Sequence, residues 1–304
     1  MATLKQNSII RETGGRGRAM LGYILAASPF LAYMEGRSAF QMEALEYRYQ
    51  PVGESGTLQI RPEGGAFTVS QETPGAFVDA ALKIYGDAQA IDTLRIVDAE
   101  KGRGTTKVWL DKQLKKKGRK FGKLLEKEFF QSMGAGHLTD LKSLATANGR
   151  TVAANLDLTT DANDAAFLEM LELEMAKVPG ANGILCHPKL AARLLTIGFR
   201  SKRIAGGTRS EMGHKIKDFD GIDIVRLNTD SAPIAPDGTT DLYIVAPGEN
   251  QFSVATNSGL YYMAWDHQDN KESNKEVWQM SLNTGLEEEE SLLCLTGIKV
   301  QAAA

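Results

Sequence analysis

The chain is poor in the side chains that carry most enzymatic chemistry. Two cysteines, Cys186 and Cys294, occur in 304 residues, with no C-x-x-C pair. That excludes a disulfide framework, a zinc knuckle and a dithiol redox motif, and it suits a reducing compartment. The four histidines (His137, His187, His214 and His267) are scattered, with neither H-E-x-x-H nor H-x-x-x-H spacing. No helix can therefore present two imidazoles to one metal. There is no phosphate-loop sequence, no G-x-S-x-G elbow and no Ser/His/Asp order; Gly102-Arg-Gly104 and Gly206-Gly207 read as turn glycines. Cys186 and His187 are neighbours, but adjacent residues of a strand point to opposite faces, so they form no thiol–imidazole pair. Cys186 reads as a buried strand residue. No catalytic residue, cofactor site or metal site is assigned.

Aromatic residues are sparse at 7%, and the formal net charge of -3 is too small to name a partner. A long apolar run is also missing. Ala19–Met34 carries no charge, follows Arg16 and Arg18, and contains a small-residue patch at Ala26–Ser28. As a helix it would reach only ~24 Å against a hydrocarbon core of ~30 Å, and Pro29 interrupts it. It reads as an apolar arm that docks on a surface, neither a membrane span nor a signal peptide. No internal repeat is present.

What is there is a sequence of contrasting textures. Residues 1–18 are polar and basic, and their composition predicts an extended terminus. Between Ser38 and Phe77, short alternating stretches (Thr57–Arg61, Phe67–Ser70) are broken by Gly53, Gly56, Pro62, Gly64, Gly65, Pro74 and Gly75. This predicts a long two-stranded excursion with too few apolar residues for a core of its own, which must lie on another surface.

From Lys107 to Met133 the pattern predicts a helix of about 27 residues, or ~40 Å. Leu110, Leu114, Phe121, Leu124 and Leu125 share one face at 100° per residue; Lys112, Lys116, Arg119, Lys123 and Lys127 share the opposite one. Nine basic residues stand against Asp111, Glu126 and Glu128, a local charge of +6, so the remainder of the chain carries -9. Such a face is either solvated or opposed by something negative, because few i,i+4 acids relieve the repulsion. Lys117 falls on the apolar side and is expected to snorkel. Gly118 and Gly122, one turn apart, each cost ~1 kcal/mol relative to Ala and imply a bend or a close backbone contact. A bend would give the helix a bent and a straight form.

Beyond Thr139 the texture is mixed α/β. A helix carrying Phe167, Leu168, Leu171 and Met175 starts at Asp161 or Asn163 and stops at Pro179–Gly180. Gly183–Cys186 reads as a strand, and Pro188 opens a helix that ends at Gly198. Phe199–Gly213 reads as a basic loop. Strands are expected at Ile222–Leu227, Asp241–Ala246, Phe252–Ala255, Leu260–Trp265, Val277–Leu282 and Ser291–Val300. His267–Lys275 reads as a polar loop, and Asn283–Glu290 as a connection holding the acidic run Glu287, Glu288, Glu289 and Glu290.

In this order the pieces resemble the Hong Kong 97-like fold of tailed-bacteriophage major capsid proteins. The residues carrying the likeness are Leu25-Ala-Ala-Ser-Pro-Phe-Leu31, the helix Leu110–Phe130, Gly183-Ile-Leu-Cys-His-Pro188 and Ile222–Leu227. The resemblance rests on layout, not on an invariant motif. It implies an α+β chain with an N-terminal arm (1–34), an extended β-hairpin loop (35–77), and a peripheral domain (78–135 and 271–304) around a spine helix at about 107–133. An axial domain (136–270) follows from it. It further implies a structural protein, not an enzyme. Such a protein assembles with itself into hexamers and pentamers, in the host cytoplasm, as an icosahedral virion shell around double-stranded DNA. The expected partners are a portal, a separate scaffolding protein, a decoration protein and the packaged DNA by non-specific contact, with no membrane.

No Lys lies between Ser38 and Leu82, so the loop-lysine crosslink of some members is not expected, and only a short arm precedes the fold where others carry a cleavable scaffolding segment. Two alternatives stay open: an encapsulin-like nanocompartment, and a basic DNA-binding oligomer unrelated to shells. The expected charge contacts are Lys112, Lys116, Arg119, Lys123 and Lys127, facing DNA, scaffold or a neighbour, with Glu287–Glu290 as a candidate inter-subunit partner.

Overall fold

Apolar residues at 20, 21, 24 and 25 repeat at helical spacing, and in the computed structural model they form the buried face of a helix, α1 (Gly15–Leu25). The structure describes residues 15–42, 46–49, 78–92, 104–202, 209–211, 214–248, 251–257, 260–265 and 273–302. Residues 43–45 and 50–77 of the excursion expected over 38–77, residues 203–208 and 212–213 of the basic loop expected over 199–213, and residues 267–272 of the polar loop expected over 267–275 lie outside them. A second helix, α2 (Pro29–Gly36), starts where Ser28 caps it: the Ser28 hydroxyl accepts the Leu31 N–H at 3.2 Å and Pro29 takes the first turn. Phe30 through Glu35 are all buried.

The surface on which this apolar segment docks is the chain's own. Phe30 packs against Phe129, Phe130 and Phe252 with ring centroids 4.9, 5.2 and 6.3 Å away. The Tyr33 hydroxyl donates to Asn182 Oδ1 at 2.6 Å, and Arg37 pairs with Asp223.

The long helix α3 spans Gly104–Phe130, starting and ending three residues before the expected bounds. Its two glycines mark a close contact with α1. A Cβ at 122 would stand 2.4 Å from the Ile24 carbonyl oxygen, and one at 118 would stand 2.7 Å from Tyr23 Cβ. Of the two meanings open to these glycines, close backbone contact is realised. An alanine pair would therefore act on the chain's own packing.

Short helix α4 (Leu141–Ala147) is capped by Asp140, whose carboxylate accepts the Ser143 N–H at 2.9 Å. Helices α5 (Asp164–Ala176) and α6 (Pro188–Arg200) follow. No helix among the described residues is long and apolar enough to cross a membrane.

The strands fall into two main sheets. One joins β1 (Phe40–Met42), β4 (Lys83–Asp92), β11 (Phe252–Thr256), β12 (Tyr261–Trp265) and the long β13 (Ser273–Leu286). The other has the order β5 (Thr151–Ala153), β14 (Leu292–Lys299), β10 (Thr239–Val245), β6 (Gly183–Cys186), β9 (Ile222–Arg226), β8 (His214–Phe219) and β7 (Arg209–Glu211). A separate antiparallel pair, β2 (Glu46–Tyr49) with β3 (Val78–Ala81), brings together the two ends of the 50–77 stretch.

β13 is longer than the pattern predicts, because Asn283, Thr284 and Gly285 continue the ladder with β11 despite their low strand propensity. The C-terminal strands also part company. β13 stays with the sheet under α3, whereas β14, apolar from Leu292 to Leu295, is buried inside the seven-stranded sheet between β5 and β10. β11 and β12 conversely join the sheet under α3, outside the sheet formed by the rest of 136–270.

Candidate assembly face and pocket of the long helix

α3 lies on the five-stranded sheet and shows three distinct surfaces. Leu125 and Phe129 are buried in the core, with Leu114 and Phe121 packed partly against it. On the far side Lys112, Lys116, Arg119 and Lys123 are exposed and Lys127 is half-buried. Their spacing keeps all five within a narrow stripe about 22 Å long. Among the described residues, none of the five has an ion-pair partner.

Lys117 behaves differently. Its ammonium sits 3.0 Å from Asp87 Oδ2 and 4.9 Å from the centre of the Trp278 ring, so it bridges helix and sheet where a snorkelling side chain was expected. Leu124 departs from expectation in the other direction. It is 49% exposed, because the flank of α3 on which it sits overhangs a cleft where the sheet gives no cover.

That cleft is a pocket of about 360 Å³ between α1, α3 and the sheet. Met20, Phe121, Leu124 and Trp278 form its apolar lining. Its polar end holds Glu128, which is buried on α3 and meets His137 Nδ1 at 2.8 Å. The Tyr85 hydroxyl donates to the same carboxylate at 3.1 Å. Burial and the adjacent Glu128 charge both push the Tyr85 phenol above its ordinary value. Sequence reasoning missed this pocket because its walls come from five separate segments. The one sequence signal was a leucine beside two lysines on a helix flank.

Glu126 has no expected role but a central position. Fully buried on α3, its carboxylate accepts from Ser28 Oγ (2.9 Å), the Phe30 N–H (3.2 Å) and the Asn228 N–H (2.7 Å). Asn228 in turn donates to the Ala27 carbonyl at 2.8 Å, and Gln131 donates to the Asp230 carbonyl at 2.6 Å.

The acidic run occupies the crossing between the two sheets. Glu289 is exposed, and Glu287, Glu288 and Glu290 are half-buried. Its backbone is tied down: the Glu287 N–H donates to the Gln251 carbonyl at 3.2 Å, and Arg150 donates to the Glu290 carbonyl at 3.3 Å. The structure does not bring this run against the cation stripe of the same chain. Cys186 is buried, which pushes its thiol up to about 12, while His187 accepts the Lys189 N–H as the cap of α6. The pair is structural.

No family model matches the sequence, and no curated protein matches it. Solved structures do match over most of the chain. An encapsulin complex from Synechococcus elongatus aligns at 15% identity and a TM-score of 0.59, covering 87% of each chain. The capsid of a native GTA particle aligns at 12% identity and 0.59, covering 87% of this chain and 89% of that one. A structure described as Mycobacterium phage Adephagia aligns at 12% identity and 0.54 with the same coverage. The chain has the Hong Kong 97-like capsid fold.

Within the Hong Kong 97-like fold, α3 sets one side of the chain. It carries the stripe on its outer face, the pocket on its flank and Glu126 near its C-terminal end. At such low identity the likeness transfers the architecture and not the residues. The roles of the stripe and the pocket have to be argued from this chain alone.

Proposed function

We propose that the chain is the major capsid protein of a tailed bacteriophage, which assembles with itself into hexamers and pentamers to close an icosahedral shell around double-stranded DNA. In this reading α3 is the spine helix of the peripheral domain, the seven-stranded sheet is the core of the axial domain, and 50–77 belongs to the extended loop. The observation that carries it is the cation stripe on α3, within a fold whose solved examples include phage and virus-like particles.

Five cations with no acid partner among the described residues repel one another, and a polyanion or an acidic surface relieves that repulsion. Phosphate contact would be independent of sequence and sensitive to salt. Scaffolding protein is the other partner that would meet this face before DNA enters. The Glu287–Glu290 run is the acidic surface this reading turns toward a neighbouring subunit. The role is structural and non-catalytic, the shell non-covalent, and the site of action the virion, assembled in the host cytoplasm. Many weak contacts repeated over the lattice supply its stability.

A second reading, a nanocompartment shell that houses protein, is favoured by the pocket. An apolar cleft of about 360 Å³ suits an anchoring side chain of a protein better than it suits DNA.

Negative-stain imaging of the expressed protein, with the absorbance ratio of purified particles, tests both. Closed shells that take up nucleic acid during infection support the phage reading. Closed shells without nucleic acid support the nanocompartment. A soluble species that forms neither capsomers nor shells, even with its scaffold, overturns both.

A further inference from the structure

Glu126 joins three parts of the subunit that the sequence keeps nearly a hundred residues apart. Its two oxygens meet the start of α2 through Ser28 and Phe30, and the 227–232 loop after β9 through Asn228. The residue is 0% exposed. The Ser231 hydroxyl also faces this carboxylate, yet it lies outside hydrogen-bonding geometry; it is fully buried and has no other partner among the described residues. So the site holds a buried acid with three donors aimed at it, and one buried hydroxyl beside it that makes no hydrogen bond among the described residues.

Among the described residues, no cation completes the cluster. The charged groups on the elements around it are Lys123, Lys127 and Glu128 on α3, Glu35 and Arg37 on α2, Asp230 on the loop and Asp223 on β9. Arg37 is committed to Asp223, and Glu128 to His137 and Tyr85. None of them pairs with Glu126, for which burial is the dominant influence and the hydrogen bonds from Asn228, Ser28 and Phe30 oppose it.

We propose that Glu126 is a proton-gated lock: as a neutral acid it completes the cluster by donating to the Ser231 hydroxyl, and as an anion it loosens the hold of α3 on α2 and the 227–232 loop. The physical reason is that a dry carboxylate with no cation beside it is costly even with three donors, whereas the neutral acid both accepts and donates. Burial accordingly moves its titration above the ordinary carboxylate value of 4.5. With the folded value raised, the folded state binds the proton more tightly than the unfolded chain. The lock is therefore tightest in acid and weakens as pH rises from the ordinary value through the folded one. The proton comes from solvent and returns to it. The lock is a property of the subunit and does not depend on what the shell encloses.

Amide hydrogen exchange at Phe30 and Asn228, corrected for intrinsic rate, tests it on the full chain between about pH 5 and about pH 9. In the wild type the opening constant at both amides should rise with pH, by up to about tenfold per unit, until the folded titration is passed. In E126Q, which keeps one acceptor and gains a permanent donor, it should stay flat. Equal pH slopes in both proteins, or wild-type protection that grows with pH, would overturn the proposal. If E126Q does not fold, infrared spectroscopy decides with wild type and S231A. A protonated-carboxyl stretch that S231A shifts supports the lock. The absence of any such band sensitive to S231A overturns it.

Discussion

Replacing Gly122 with Ala separates helix propensity from helix packing, because the two push stability in opposite directions. Propensity alone favours Ala by ~1 kcal/mol in a helix interior. Packing opposes it, since the new Cβ would lie 2.4 Å from the Ile24 carbonyl oxygen and 3.1 Å from Ile24 Cα. That oxygen is backbone, so no rotamer change relieves the overlap. Reaching even 3.0 Å requires α1 to retreat by about 0.6 Å, which opens gaps under Met20, Leu21, Ile24 and Leu25. Overpacking of this kind costs about 1–3 kcal/mol. The rigid carbonyl argues for the upper part of that range, and the net expectation is a loss of about 1–2 kcal/mol. Gly22 supplies the control. It lies in α1, is exposed, and has nothing within 4 Å of an added Cβ, so Gly22→Ala should gain about 0.5–1 kcal/mol. Urea unfolding of the two variants beside the parent, compared at equal m-value, reads both signs. A Gly122→Ala protein as stable as Gly22→Ala would refute the close approach of α1 and α3.

Further outcomes follow from the same geometry. Phe30→Ala should destabilise the subunit by about 3–5 kcal/mol, since Phe30 is fully buried among Phe129, Phe130 and Phe252; a loss under about 1 kcal/mol in denaturant melts would mean that the N-terminal helices are a detachable arm. Lys112→Gln, Lys116→Gln and Lys123→Gln together should leave the unfolding midpoint within about 0.5 kcal/mol of the parent, as exposed surface groups do. The same triple variant should flatten the salt dependence of nucleic-acid retention by ~0.9 in log–log slope for each phosphate it ceases to neutralise, and an unchanged slope would remove DNA as the partner of the stripe. His187 caps α6 through its neutral ring, and burial, with Lys189 nearby, lowers its pKa from 6.5. Folding therefore disfavours its protonation, so this contribution is intact above about pH 6.5 and is lost as pH falls toward the folded value. Thermal melts of His187→Asn, which keeps a capping oxygen, should lose that part of the acid dependence; identical pH profiles would show that the cap does not titrate.

Much of the architecture is legible from periodicity. The 27-residue helix, the capped start at Ser28-Pro29, the strand Gly183–Cys186 feeding Pro188 and the order of elements all come from residues that interact within a few positions of one another. The cation stripe is equally local, because Lys112 to Lys127 share a face by helical geometry alone. Tertiary structure decided everything that depends on which distant surface arrives opposite. It set Gly118 and Gly122 against α1, gave Lys117 the Asp87 carboxylate, left Leu124 over an open cleft, and drew β14 away from β13 into the other sheet. Glu126 is the clearest case. By sequence it is one acid in a basic helix, and its surroundings are fixed by Ser28 and Asn228, which stand about a hundred residues away on either side. Side-chain periodicity records which face of an element is apolar, but it carries no information about the partner, and the partner sets burial, hydrogen bonding and protonation.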